Sequence, residues 1–223
     1  MTLALVRLLQ LASPALPVGA YTYSQGLEWA VEAGLVRDHT SALAWIGGLL
    51  EATVSRYEAP LTAHLQRAWQ LADDDEVRRL NADFIASRES SELRAETLQM
   101  GYSLRRLLLD LDDFALPPPS QALAEITFPA AWALAATGWR IPPADALAGY
   151  LWSWCENQVL AALKTVPLGQ SAAQRLLLAL GARLPPLVER ALALPESEWS
   201  NFAPGFALAS IRHETQYARL FRS

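Results

Sequence analysis

The sequence predicts an all-α fold, a compact single-domain bundle of about ten helices. Three observations carry that expectation. Apolar residues recur at three- and four-residue intervals along nearly the whole chain, no stretch alternates apolar and polar residues long enough for a useful strand, and proline- and glycine-bearing breaks separate the periodic segments. A chain of 223 residues can bury one large core. No internal repeat is evident, which argues against a solenoid.

The first helix spans roughly residues 3–12, where Arg7 and Gln10 inside an apolar run mark an amphipathic helix rather than a secretory signal. It must end at Ser13-Pro14-Ala15-Leu16-Pro17-Val18-Gly19, because two prolines remove backbone donors and push Ser13 and Leu16 towards extended geometry. Gly19 supplies a backbone freedom that a Cβ would restrict. Ser24 then caps a short helix reaching Ala33 and stopped by Gly34. Leu27, Ala30 and Val31 share one face of it, and Gln25, Glu28, Trp29 and Glu32 turn outward.

Asp38 opens the next helix, with Leu43, Ile46, Leu50 and Val54 at core spacing and Gly47-Gly48 placed for a close helix crossing. Another helix covers about 58–71. Asp73-Asp74-Asp75 caps the strongly helical segment 76–111, which Ser90 and Ser91 can break. Pro117-Pro118-Pro119 forms a stiff connector, read as a long loop inside one domain. Helices follow at 121–137, 144–165, 170–181, 185–193 and 205–221.

Composition narrows function. A net charge of −5 argues against bulk nucleic-acid binding, which needs clustered cations. The longest nearly apolar run, Ile126–Ala136, contains Thr127 and Pro129 and is too short to span a membrane. The single cysteine, Cys155, cannot form an internal disulfide, so a reducing compartment, the cytoplasm, is expected. Apolar residues at 52% against 18% charged residues indicate more apolar surface than usual, part of it explained by a large core and part pointing to partner surfaces.

Catalytic signatures are mostly missing. There is no glycine-rich phosphate loop, no G-x-S-x-G and no C-x-x-C, and His39, His64 and His213 are far apart in sequence. Cys155 sits beside Trp152 and Trp154 in a packing context. His213-Glu214-Thr215-Gln216-Tyr217 resembles the zincin motif, but Tyr217 replaces the second histidine. A small metallohydrolase using His213 and Glu214 is therefore the alternative reading. In the packing reading, Phe206, Ala209, His213, Tyr217, Leu220 and Phe221 form one helix face, with Arg212, Thr215, Arg219 and Arg222 opposite. Glu28 and Glu32 are four apart and could hold a cation weakly, although a solvated surface fits better.

Three stretches together resemble the urease accessory protein family UreF. They are S-P-A-L-P-V-G-A-Y-T-Y-S-Q-G-L-E at 13–28, V-P-L-G-Q-S-A-A-Q-R-L at 166–176 and A-S-I-R-H-E-T-Q-Y-A-R-L-F-R-S at 209–223. Their order and spacing match that family over essentially the whole chain. Ala20 and Ser171-Ala172-Ala173 are small departures in turn detail. The resemblance implies one UreF-like helical domain over 1–223, with a mobile tail near 205–223 that orders on binding. It also implies a homodimeric, non-enzymatic assembly factor that bridges UreD (also called UreH) to the GTPase UreG and acts on apo-urease. The outcome is insertion of nickel, which the complex handles and this chain does not hold as a stable cofactor. Pro14, Pro17 and Gly19 are expected to shape the partner surface. Tyr21, Tyr23, Ser24, Gln25, Glu28, Lys164, Gln170, Arg212, His213, Tyr217, Arg219 and Arg222 are expected to be touched by partners.

Overall fold

A helix that is apolar on every side belongs in the middle of a bundle, and the run Phe-Pro-Ala-Ala-Trp-Ala-Leu-Ala-Ala-Thr-Gly is such a helix. The computed structural model describes residues 2–111, 114 and 123–223. Its α-helices are α1 (Leu3–Leu11), α2 (Leu27–Glu32), α3 (His39–Leu49), α4 (Ala59–Leu71), α5 (Asp74–Ala86), α6 (Ser91–Leu109), α7 (Phe128–Gly138), α8 (Pro143–Thr165), α9 (Gln170–Gly181), α10 (Leu184–Ala193) and α11 (Pro204–Glu214). No strand occurs among the described residues, and the expected all-α bundle is the fold observed.

Pro129 to Ala136 of α7 are all buried. The alanines keep that helix thin enough for α4 and α6 to pack closely on it. The two tryptophans at its contacts bury their rings and still satisfy their N–H groups: Trp132 Nε1 donates to Ala146 O (3.1 Å) and Trp69 Nε1 to Ala130 O (3.1 Å). The 23-residue α8 is the second axis, lined by α9, α10, α4 and α2. Among the described residues no helix is long and apolar enough to cross a membrane.

Several boundaries differ from the sequence reading, some for a local reason and some because a distant side chain holds the backbone. α3 and α4 are not separate but joined through a π-helical stretch, Leu50–Glu58, whose wider turn carries Glu58 into the interior. Gly47 makes room for the guanidinium of Arg183, which pairs with Glu51 at 3.0 Å, whereas Gly48 faces open space. Segment 76–111 does break at Ser90, as the sequence allowed, because Ser90 caps α6 through the N–H of Leu93. α7 starts at 128 rather than 121. Asn81 takes the N–H of Thr127 (2.9 Å) and donates to Glu125 O (3.0 Å), holding that backbone out of the helix. The proline connector at 117–119 lies outside the described residues. The last helix ends at Glu214, not 221, for reasons that belong to the site below.

Gly101 of α6 lies where it crosses the start of α7, and a Cβ there would strike the Ile126 carbonyl and Thr127 backbone. Neither obstacle is a flexible side-chain end. Gly101→Ala is therefore expected to lower stability by about 1–3 kcal/mol, read from urea midpoints. Gly48→Ala, in open space on α3, is expected to be neutral or to stabilise by about 0.5–1 kcal/mol.

Candidate partner-binding surface

The proline loop ends in a tight series of turns. Gly19 adopts φ +79° and accepts both the N–H (3.0 Å) and the hydroxyl (2.8 Å) of Thr22 on its carbonyl. Gln25 and Gly26 follow with φ +54° and +77°. At Gly26 the left-handed conformation coincides with close packing, since a Cβ would meet Ser210 N at 3.0 Å and Ala209 on α11. Only glycine suits that position. The loop is thereby pressed against the helix that precedes the tail.

The tail, expected to be mobile, is docked along this loop. The main-chain oxygen of Ser223 accepts from Ser24 N (2.7 Å), Gln25 N (3.1 Å) and Ser24 Oγ (2.6 Å), and Arg222 N donates to Thr22 O (2.8 Å). Glu28 completes the attachment. Its Oε1 accepts from Leu220 N (2.7 Å), and its Oε2 accepts from Phe221 N (3.0 Å) and lies 3.1 Å from His213 Nε2. The other ring nitrogen of His213 is 2.6 Å from Glu92, which also receives Arg219 at 2.7 Å. Capture of these N–H groups by a carboxylate is why the final residues leave the helix after Glu214. Lys164 donates to Tyr21 O (3.3 Å) and lies 5.1 Å from the centre of the Phe221 ring and 5.8 Å from that of Tyr21, fastening loop and tail from outside.

A second polar group lies deeper. Trp154 Nε1 donates to Gln25 Oε1 (2.8 Å), while Gln25 Nε2 (2.7 Å) and Ser223 Oγ (2.7 Å) donate to Glu96. Burial pushes the Glu96 carboxyl up to about 7, against the two hydrogen bonds that favour its charged form. A cleft of about 90 Å³ runs from Pro14, Leu16 and Tyr21 to a floor containing Glu58, Arg88, Glu96 and Tyr150. There Arg88 pairs with Glu58 (2.7 Å), which also accepts the Tyr150 hydroxyl (3.0 Å).

The expected contact residues therefore divide. Tyr21, Lys164, Gln170, Arg212, Tyr217, Arg219 and Arg222 are exposed, and Gln25 is half-buried. Tyr23, Ser24, Glu28 and His213 are buried and hold the surface together from beneath. Helical projection turned Glu28 outward because the tail that covers it comes from nearly 200 residues away. Trp29 is half-buried, and Glu28 and Glu32 do not form a cation site, since the tail takes up Glu28 while Glu32 is exposed. The zincin reading fails on geometry. Both nitrogens of His213 face carboxylates inside the protein, Glu214 accepts from Ser91 (2.8 and 2.6 Å), and Tyr217 lies off the helix.

Sequence reasoning missed Glu92 and Glu96. A signal existed for Glu96, which sits among Leu93, Thr97, Met100 and Leu104 on the buried stripe of α6. A carboxylate in such a stripe needs buried partners. One set of metal-ligating composition occurs among the described residues, His64, Glu76 and Glu196. Arg79 already fills it, donating to both carboxylates at 2.7–3.1 Å, so it is an ion-pair tie between α5 and the segment before α11.

A sequence model of the UreF family matches residues 36–181. The urease accessory protein UreF of Azoarcus sp. (strain BH72) is 66% identical over 225 residues, covering 99% of this chain and 96% of that protein. The chain belongs to the UreF family. UreF of Dechloromonas aromatica (strain RCB) is 59% identical over 224 residues, covering 99% of this chain and 98% of that protein. UreF of Methylobacillus flagellatus is 50% identical over 222 residues, with 99% and 98% covered. The loop and the tail lie outside the span of the UreF family model but inside these full-length matches.

Glu96 yields a signed pH effect. The folded UreF-family chain holds this proton to about 7, against an ordinary carboxyl value of 4.5. It therefore binds more protons than the unfolded chain across that window, and stability falls as pH rises through it, by on the order of 3 kcal/mol if fully expressed. Urea midpoints are expected to drop from pH 5 to pH 8, and to drop less in Glu96→Gln, whose amide keeps partners for Gln25 and Ser223.

Proposed function

We propose that this UreF-family chain is a non-catalytic assembly factor of urease maturation. In this reading it bridges UreD (UreH) and the GTPase UreG, works as a homodimer in the cytoplasm, and promotes nickel insertion into apo-urease by controlling GTP hydrolysis. Nickel is cargo of the complex, not a resident cofactor of this chain. The observation that supports the reading is the loop–tail surface. It is held in shape from beneath by Glu28 and Ser24, and it presents Tyr21, Lys164, Arg212, Tyr217, Arg219 and Arg222 beside the exposed apolar Ile211 and Leu220. A surface that is already ordered loses little entropy on docking, and aromatic and arginine side chains are the types that carry interface energy.

Control of UreG through the shape of the complex is favoured over an arginine entering the GTPase site, because Arg219 is already engaged by Glu92. A finger mechanism requires one arginine whose loss lowers stimulated hydrolysis by roughly 10³–10⁵-fold. Near-normal stimulation in each of Arg212→Ala, Arg219→Ala and Arg222→Ala is expected instead.

The deciding experiment is co-expression with UreD and UreG followed by size-exclusion chromatography. The full chain is expected to co-elute with both. A chain ending at Thr215 is expected to keep its helical circular dichroism and to lose at least about tenfold in co-purified UreD, the equivalent of one strong interface contact. Undiminished co-purification would remove the tail from the interface.

A further inference from the structure

The last residues form a strap, and its anchor is a buried group of charges. His213 is fully buried, with Nδ1 2.6 Å from Glu92 Oε2 and Nε2 3.1 Å from Glu28 Oε2. An ionised carboxylate only accepts, so both contacts are hydrogen bonds only when both ring nitrogens carry hydrogen. A neutral imidazole has one N–H and would turn a lone pair toward one of the two carboxylates. The charge count agrees. Glu28 and Glu92 carry two negative charges, Arg219 on Glu92 supplies one positive charge, and an imidazolium supplies the second.

The other ionisable groups nearby are otherwise engaged. Glu214, next on α11, accepts from Ser91 and Glu92 backbone N–H groups and the Ser91 hydroxyl. Glu96, one turn beyond Glu92 on α6, is bonded to Gln25 and Ser223. Glu32 on α2, Arg212 on α11 and Arg222 on the strap are exposed.

We propose that the strap 215–223 is a proton-gated lid, closed over the loop when His213 is an imidazolium shared by Glu28 and Glu92 and released when that imidazole is neutral. Loss of the proton leaves an uncompensated negative charge beside a fully buried ring, on Glu28 and Glu92 carboxylates that are only 8% and 13% exposed, which is costly. Lifting the strap readmits water to Glu28 and Glu92 and frees the N–H groups of Leu220 and Phe221. Rising pH therefore opens the lid. The consequence for partner docking rests on the surface reading above; the lid itself does not.

The test uses the full chain with a nitroxide on Ala218→Cys, an exposed strap position, Cys155 being buried. Label mobility is followed from pH 6 to 9, alongside the ¹⁵N resonances of His213 and far-UV circular dichroism. The label is expected to be immobile at pH 6 with both ring nitrogens protonated. The ratio of mobile to immobile label should then rise by about tenfold per pH unit through the transition, the signature of one proton. His213→Gln should abolish that dependence, and Glu96→Gln should leave it in place. A label still immobile at pH 9, a singly protonated imidazole beneath an immobile strap, or a dependence carried by Glu96 would each overturn the lid. These measurements need no partner, so a failed lid and a failed scaffold reading are told apart by whether the mobility or the co-purification departs from expectation.

Discussion

The Glu28 carboxylate sits beneath the final nine residues and gathers three donors: two main-chain N–H groups of the strap and the ring of His213. A carboxylate removed from water is stable only when its lone pairs are filled, and here the strap itself fills them. The dependence is mutual. Without Glu28 the strap N–H groups have no partner, and without the strap Glu28 is half-satisfied. Such a contact specifies one docking register, because an offset of one residue would leave donors and acceptors unpaired. The oxygen of Ser223 on the Ser24 and Gln25 donors fixes the same register from the other end.

That clasp is as rigid as the elements that carry it. α6 brings Glu92 and Glu96 to the site, and Gly101 lets it lie directly on the start of α7. α7 is held in turn by its tryptophan contacts to α4 and α8. The surface proposed to meet partners is thus a short loop and a short strap, both irregular, mounted on the most deeply buried part of the bundle. Irregular backbone is tolerable there because its polar groups are paired with one another and with Glu28. The left-handed Gln25 belongs to the same arrangement, since it aims one side chain at both Trp154 and Glu96.

Much of the fold was legible. The caps Asp38, Asp73 and Ser90 do the work their residue types imply, and α8, α9 and α10 begin and end within a residue of where period and proline placed them. Three of the errors share one cause. Residues 123–127, the end of α11 and the outward assignment of Glu28 were read from local periodicity, and in each a distant polar side chain or the strap captured the backbone or covered the face. Asn81 acted on the first and Glu28 itself on the second. Helix propensity is worth tenths of a kcal/mol per residue and yields to a charge-assisted hydrogen bond.

The sequence by itself determined that this chain is helical and where most helices lie, because those features depend on neighbours within a few residues. It also carried its family in the three punctuated stretches at 13–28, 166–176 and 209–223. What only the tertiary structure decided is which residues of those stretches face outward. Glu28 looks like a surface group in projection and is an interior one in fact, and Ser24 and His213 are buried with it. Their partners, Ser223, Leu220, Phe221 and Glu92, lie some 120 to 200 positions away, and no local pattern encodes a pairing made across that distance.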